Sequence, residues 1–460
     1  MGKKRMKKAV PLILSFLEWA AGISLWAAAW LHYYNPLVQP WPLGYKGNAL
    51  IFAVYGLLLL LFNRIYGSYR VGYYKRGDII FGGFLAAVLT NGITYLQVCL
   101  VIRKIVDVRP MLLITLAGMG IIWICKTVSS RVYFKLNPPH RMLVVYSGKT
   151  MTESLIYKMT SRAEKYNICE VIHVDEGLDH IFEKIDEYES VILCDIKSET
   201  RNKILKYCYS ASKRTYLTPK ISDVFIRGAS EVHLFDTPLL LCRNRGLTAE
   251  QRFFKRAMDL AFSGAALLLA SPFMLATALA VKLYDRGPIL YKQQRLTLGG
   301  KVFEVYKFRS MVVDAEKTGG ARLASQNDNR ITPVGRFIRR TRLDELPQLI
   351  NIFKGDMSLV GPRPERPEIA AQYEERMPEF SYRLKVKAGL TGYAQILGKY
   401  NTTPYDKLKL DLMYIGQYSI FLDIKLILMT IKVVFMPESA EGVKEGQKTA
   451  DNAEPEKEKV

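Results

Sequence analysis

The sequence predicts three parts: a membrane-embedded α-helical bundle, a Rossmann-like α/β domain, and an α/β domain attached monotopically through a re-entrant helix. Four apolar stretches within the first 125 residues predict the first part. Strand-like and helical segments alternating from Arg141 predict the second, and an apolar segment interrupted at Ser271-Pro272 leads the third. A chain of 460 residues is too long for one core, and the expected divisions are 1–135, 136–246, 247–436 and a tail at 437–460.

The apolar stretches run from Pro11 to Leu31, Ala49 to Phe62, Ile79 to Ile102 and Met111 to Cys125. Most approach the roughly 20 residues that carry a helix across a hydrocarbon layer of about 30 Å. A basic start before the first stretch, with Ala27 to Ala29 after it, also fits a cleaved signal peptide, but its length and three successors favour a retained span. Glu18 lies inside that span, where an acid serves function, pairs near the interface or faces a neighbouring helix.

The formal charge of +22 is compatible with nucleic acid, an anionic membrane or phosphorylated substrates. Its distribution decides. Lys3, Lys4, Arg5, Lys7 and Lys8, then Arg70, Lys75 and Arg76, then Lys126, Arg131 and Lys135 sit at the ends of apolar segments, which suits a membrane surface and not a DNA groove. With the basic start in the cytoplasm, segments 63–78 and 126–141 lie there too, although Arg103, Lys104 and Arg109 fall on the opposite side. The six scattered cysteines form no CxxC pair and predict neither a metal knuckle nor a disulfide framework.

In the second part, the first strand is followed by Ser147-Gly148-Lys149-Thr150-Met151-Thr152, without the GxGxxG that lets backbone N–H groups approach a pyrophosphate. A Rossmann-like module without a bound dinucleotide is expected. The tail has too few apolar residues to pack and is expected to be disordered.

The segment Met258 to Leu283 is apolar enough to span, as a kinked helix, yet a fifth crossing would carry the third part to the opposite side from the second. A re-entrant helix-break-helix that returns to the cytoplasmic face is therefore expected, with Arg256 and Asp259 pairing one turn apart near the headgroups.

Residues 284–436 contain no histidine or cysteine, so a nucleophile or base there must be a carboxylate, hydroxyl or lysine. In RFIRRTRLDELPQLINIFKGDMSLVGPRP, Leu346, Leu349, Ile350 and Phe353 recur at helical spacing. Asp344 then has two readings. It caps that helix, with Glu345 favourable in the first turn, or the two carboxylates, preceded by Arg339, Arg340 and Arg342, meet a diphosphate and a divalent cation. The Gly299-Gly300 turn predicts a hairpin presenting Arg295 and Arg309, and Gly361-Pro362-Arg363-Pro364 fixes an arginine in a stiff extended segment.

Five motifs in order, KRAMDLAFSGAALLLASPF, YKQQRLTLGGKVFEVYKFRSM, ITPVGRFIRRTRLDELPQLINIFKGDMSLVGPRP, YRLKVKAGLTGYAQILGKYN and DKLKLDLMYIGQYSIFLDIKLI, make Gln251 to Phe435 resemble the monotopic phosphoglycosyl transferases, the bacterial sugar transferase family. The resemblance implies transfer of a sugar 1-phosphate from a UDP-sugar to undecaprenyl phosphate, opening exopolysaccharide, capsule or O-antigen synthesis at the cytoplasmic face of a bacterial inner membrane. It implies Asp344 as nucleophile, Glu345 assisting at magnesium-bound phosphates, both as ligands of Mg2+, and Ser271-Pro272 as the helix break. Arg256, Arg309 and Arg363 then stand near phosphate or headgroup, and Asp411 and Tyr414 line or support the site. The four-helix, Rossmann-like front resembles that of the larger members, compatible with a homodimer. Lys387-Ala388-Gly389 departs from the proline that often precedes this glycine. The rival readings are a non-catalytic membrane scaffold recruiting polysaccharide-assembly partners, and a polytopic lipid transferase, for which the C-terminal half has too few spans.

Overall fold

A computed structural model describes residues 2–242, 246–313, 330–398 and 402–435, with side chains from Val10 onward. The expected tail therefore lies outside the described residues. The chain divides into two compact units, Met1–Thr218 and Pro219–Val460.

The first unit opens with α1 (Gly2–Ala29), α2 (Tyr45–Ile65), α3 (Arg76–Ile102) and α4 (Arg109–Leu136). All four are long and apolar enough to cross a membrane, α1 together with the turns that extend it to Leu37. Small residues bring the helices together: a β-carbon on Gly56 would lie 2.8 Å from Ile23 and one on Gly83 2.7 Å from Ile122. Polar groups inside the bundle are paired across helices. Tyr55 donates to Asn91 Oδ1 (3.0 Å), whose amide donates to Thr115 Oγ1 (2.8 Å). Glu18 meets Lys126 of α4 at 2.8 Å with both side chains buried, so it faces a neighbouring helix and is paired there.

The same unit continues with β1 (His140–Tyr146), α5 (Lys149–Thr160), β2 (Tyr166–His173), α6 (Leu178–Glu187), β3 (Ser190–Cys194), α7 (Ser198–Ser210) and β4 (Arg214–Leu217). The strands form one parallel sheet in the order β2-β1-β3-β4. Its central strands are apolar because both faces are covered, and β3 is buried throughout. At the turn after β1 the Asp195 carboxylate packs so closely on Gly148 that a β-carbon there would lie 2.4 Å from Oδ2.

The second unit holds α8 (Ile221–Arg227), a hairpin of β5 (Ser230–Leu234) and β6 (Thr237–Leu241), α9 (Ala249–Asp285), a hairpin of β7 (Leu290–Leu296) and β8 (Val302–Phe308), α10 (Pro333–Arg340), α11 (Gln348–Lys354), β9 (Ser358–Val360), α12 (Pro367–Arg376), β10 (Gly389–Thr391), α13 (Tyr393–Leu397), α14 (Pro404–Gly416) and α15 (Ile420–Val434). Helix α8 and the β5–β6 hairpin, grouped from sequence with 136–246, fall within this unit. The reason is apolar: Val224 of α8 is buried with Phe380, Leu408 and Leu412.

Helix α9 is continuous over 37 residues, about 55 Å, and remains helical through Ser271 and Pro272, so the expected helix break is not an interruption. Pro272 has no N–H for the carbonyl four residues back, at Leu268. The Ser271 hydroxyl donates to that carbonyl at 2.8 Å and leaves no orphaned acceptor on an apolar helix. The expected Arg256–Asp259 pair is also absent, because each has a stronger engagement. Arg256 donates to the carbonyls of Ile352 and Phe353 at the end of α11 (both 2.7 Å), and Asp259 accepts from Ser358 Oγ and Leu359 N (both 3.0 Å).

Near the start of α9, Lys255 meets Asp423 at 2.6 Å, with the Tyr414 hydroxyl bridging to both. At its far end Asp285 pairs with Arg309, and Val281 is buried with Phe308 and Ile338. Between them Leu268, Leu269 and Leu275 are more than 70% exposed, so the helix presents an apolar outer face while both ends are held by one α/β unit.

Removing one partner of the Glu18–Lys126 pair strands a buried charge, which costs about 3 kcal/mol or more. Lys126→Met should lower the melting temperature of the detergent-solubilised chain, and Glu18→Gln added to it should recover most of the loss.

Candidate active site

Asp344 and Glu345 lie in a short 3-10 turn, 343–345, reached through Arg342 in the left-handed conformation (φ 60°). Pro347, not Asp344, occupies the N-cap of α11, and neither carboxylate makes a capping bond. The capping reading of Asp344 is therefore corrected: proline cannot donate, so it begins the helix and leaves the acids in the preceding turn.

Glu345 is 17% exposed and lies between two cations, Lys307 Nζ and Arg363 Nη2, each 3.4 Å from Oε1. Burial alone would raise its pKa, but Lys307, then Arg363 and Arg342, outweigh it and hold the carboxyl down at about 2. Asp344 behaves oppositely. Burial and the adjacent Glu345 charge push it up to about 6, against the pull of Lys307, Arg339 and Arg342. Among the described residues no hydrogen bond reaches the Asp344 side chain, so its oxygens are available to a ligand.

Lys307 was not singled out from the sequence. It sits in β8 opposite Tyr291, and burial lowers its pKa while Glu345 draws it back up. The available signal was a lysine flanked by the aromatic residues Tyr306 and Phe308 within a strand.

The segment 361–365 positions Arg363, and four consecutive carbonyls are each pinned by a different donor. Gly389 N reaches Pro362 O (2.8 Å), Arg383 reaches Arg363 O (2.7 Å), Arg295 reaches Pro364 O (3.1 Å) and Leu296 N reaches Glu365 O (2.9 Å). Two prolines remove donors from this stretch, so its carbonyls must find partners elsewhere. Gly361 is required by the close approach of the next segment: a β-carbon would lie 2.4 Å from Lys387 O.

Arg383, also unforeseen, is buried and pairs with Asp411 at 2.8 Å and Glu365 at 3.7 Å. Burial, against Arg383, pushes Asp411 up to about 6. Asp411 thus supports the Arg363 segment through Arg383. Arg295 is turned toward Gln293, Pro364 O and Glu365, and burial lowers its guanidinium to about 10. Arg309 is occupied by Asp285 and the carbonyls of Pro288 and Met311. Arg256 is bound to α11, and Ser271 and Pro272 lie within α9. Of Arg256, Arg295, Arg309 and Arg363, it is Arg363 whose ion pair with the acidic turn is seen among the described residues, 3.4 Å from Glu345.

Among the described residues no cluster of three His, Cys, Asp or Glu side chains is present. The adjacent carboxylates supply two hard oxygen donors, a set that fits a magnesium ion completing its shell with substrate phosphate and water.

Residues 250–437 match the family described as Bacterial sugar transferase. The UDP-N-acetylgalactosamine-undecaprenyl-phosphate N-acetylgalactosaminephosphotransferase of Aeromonas hydrophila is 42% identical over 40% of this chain and 44% of its own length. The UDP-glucose:undecaprenyl-phosphate glucose-1-phosphate transferase of Escherichia coli K12 is 41% identical over 47% of this chain and 46% of its own. The chain thus spans less than half the length of these two relatives, but it covers 92% of the exopolysaccharide production protein PSS of Rhizobium leguminosarum bv. phaseoli, at 42% identity over 38% of this chain.

Removing Arg383 would strand Asp411 and free the Arg363 carbonyl. Arg383→Met should destabilise the protein by about 3 kcal/mol or more in thermal unfolding, whereas Arg383→Met combined with Asp411→Leu should be closer to the parent.

Proposed function

Since the chain belongs to the bacterial sugar transferase family, we propose that it moves a sugar 1-phosphate from a UDP-sugar to undecaprenyl phosphate, the first membrane step in assembling an exopolysaccharide, capsule or O-antigen. The observation that carries this reading is the unequal acidic pair: Asp344 without a side-chain hydrogen bond among the described residues, beside a Glu345 held ionised by Lys307 and Arg363. The Aeromonas hydrophila and Escherichia coli relatives are named for transfer between a UDP-sugar and undecaprenyl phosphate, which supports the same donor and acceptor here.

In the proposed first step an Asp344 carboxylate oxygen forms a bond to the sugar-bearing phosphorus, and the phosphorus–oxygen bond to UMP breaks with its electron pair leaving on UMP. In the second step an oxygen of undecaprenyl phosphate attacks the same phosphorus and releases Asp344, so no net proton is consumed. Arg363 and Lys307, each 3.4 Å from Glu345, would neutralise the negative charge of both displacements in this reading. A magnesium ion bound by Asp344 and Glu345 would screen the donor diphosphate.

The lipid phosphate lies at headgroup depth, and α9 is suited to reach it. A helix that crossed the bilayer would separate its ends by about 30 Å of hydrocarbon. Lys255 and Asp285 are instead both engaged by one α/β unit, which supports an unbroken α9 held along that unit at one membrane face, with its exposed leucines in one leaflet and the active site at the cytoplasmic face of the inner membrane.

Asp344→Asn should reduce UMP release from UDP-sugars by about 10³-fold or more and abolish sugar-phosphate attachment to the protein. Substantial residual turnover would overturn the nucleophilic role. Asp344 attacks only when ionised, so kcat/KM should rise with pH through about 6 and then level, the limb moving to lower pH as magnesium is added. Assays with UDP-glucose, UDP-galactose and UDP-N-acetylgalactosamine test the donor class; no UMP from any of them would favour a scaffold.

A further inference from the structure

The bundle carries a second polar feature, on its outer surface and independent of the transferase reading. α3 begins at Arg76 and α4 approaches its end at Arg131, and the two helices pack against each other in antiparallel fashion. Between them runs a groove of about 500 Å³, with Arg76, Gly77 and Ile80 on one wall and Trp123, Val128 and Arg131 on the other. Its floor is open at Gly77, where an added β-carbon would meet nothing within 4 Å.

Both arginines are exposed, and neither has a carboxylate partner or a hydrogen bond among the described residues. Below them the walls become apolar. Arg131 stands eight residues beyond Trp123, a rise of about 12 Å along α4, and Trp123 is itself 55% exposed. The groove therefore offers two unneutralised guanidinium groups at one end and a hydrocarbon-lined channel at the other. A free phosphate would leave the apolar wall unused, and a zwitterionic lipid would bring its own ammonium toward the guanidinium groups.

We propose that this groove is a binding site for one anionic glycerophospholipid, its phosphate held by Arg76 and Arg131 and the upper part of an acyl chain laid along Ile80, Val128 and Trp123. Planar guanidinium forks suit a phosphate diester, and a basic pocket between apolar helices selects lipid by charge.

Native mass spectrometry of the full-length chain in detergent, with palmitoyl-oleoyl phosphatidylglycerol or phosphatidylethanolamine added, tests the site. The parent should retain one phosphatidylglycerol in preference to phosphatidylethanolamine. Arg76→Gln with Arg131→Gln should weaken retention about tenfold or more. Val128→Trp, which fills the groove and keeps both charges, should weaken it as well, while Arg103→Gln at the opposite end of α3 should not. Matching melting temperatures verify that the variants are folded. Equal retention of the two lipids, unchanged phosphatidylglycerol binding in both groove variants, or preferential occupation by added undecaprenyl phosphate would each overturn the proposal. So would a groove found covered by a second copy of the chain in crosslinking through Arg131→Cys.

Discussion

Two adjacent carboxylates in a partly buried turn repel each other, and the acidic site persists because fixed cations make the two unequal. Lys307 and Arg363 converge on one oxygen of Glu345 and keep that group ionised. The repulsion and the burial then fall on Asp344. Much of the second unit serves this asymmetry: the β7–β8 hairpin places Lys307, and the pinned segment 361–365 places Arg363.

The second constraint is solvent. α9 exposes a row of large apolar side chains, and a proline within such a face would normally cost an unpaired carbonyl where no water can compensate. Ser271 removes that cost locally through its bond to Leu268 O. Lys255, Arg256 and Asp259 each find a buried or backbone partner on the α/β side. The same economy governs the four-helix bundle, where Glu18 and Lys126 neutralise each other across α1 and α4.

What periodicity and turn chemistry encode was legible in the sequence. The four apolar helices, the parallel strands and the hairpin around Gly299-Gly300 all follow from local pattern, and the acidic pair follows from its motif. Three-dimensional partnership was not. Arg256, Arg295 and Arg309 carry the same charge as Arg363 in the sequence, yet each is consumed by a carbonyl or an acid distant along the chain. Lys307 and Arg383 were overlooked because their importance comes from what they face, and no spacing rule records that. The packing of Val224 on α14 is likewise a long-range apolar contact that no local pattern records.

The pinning of four successive carbonyls also bears on when the site comes into being. Their donors are drawn from a strand before the acidic turn, from the stretch after α12 and from β10, so no single fragment of the chain can set Arg363 alone. A nascent or partly unravelled polypeptide holds the acidic pair without its clamp. The clamp on Glu345 is thereby tied to completion of the fold, because the segment that carries Arg363 takes its shape only once all of these donors are in place.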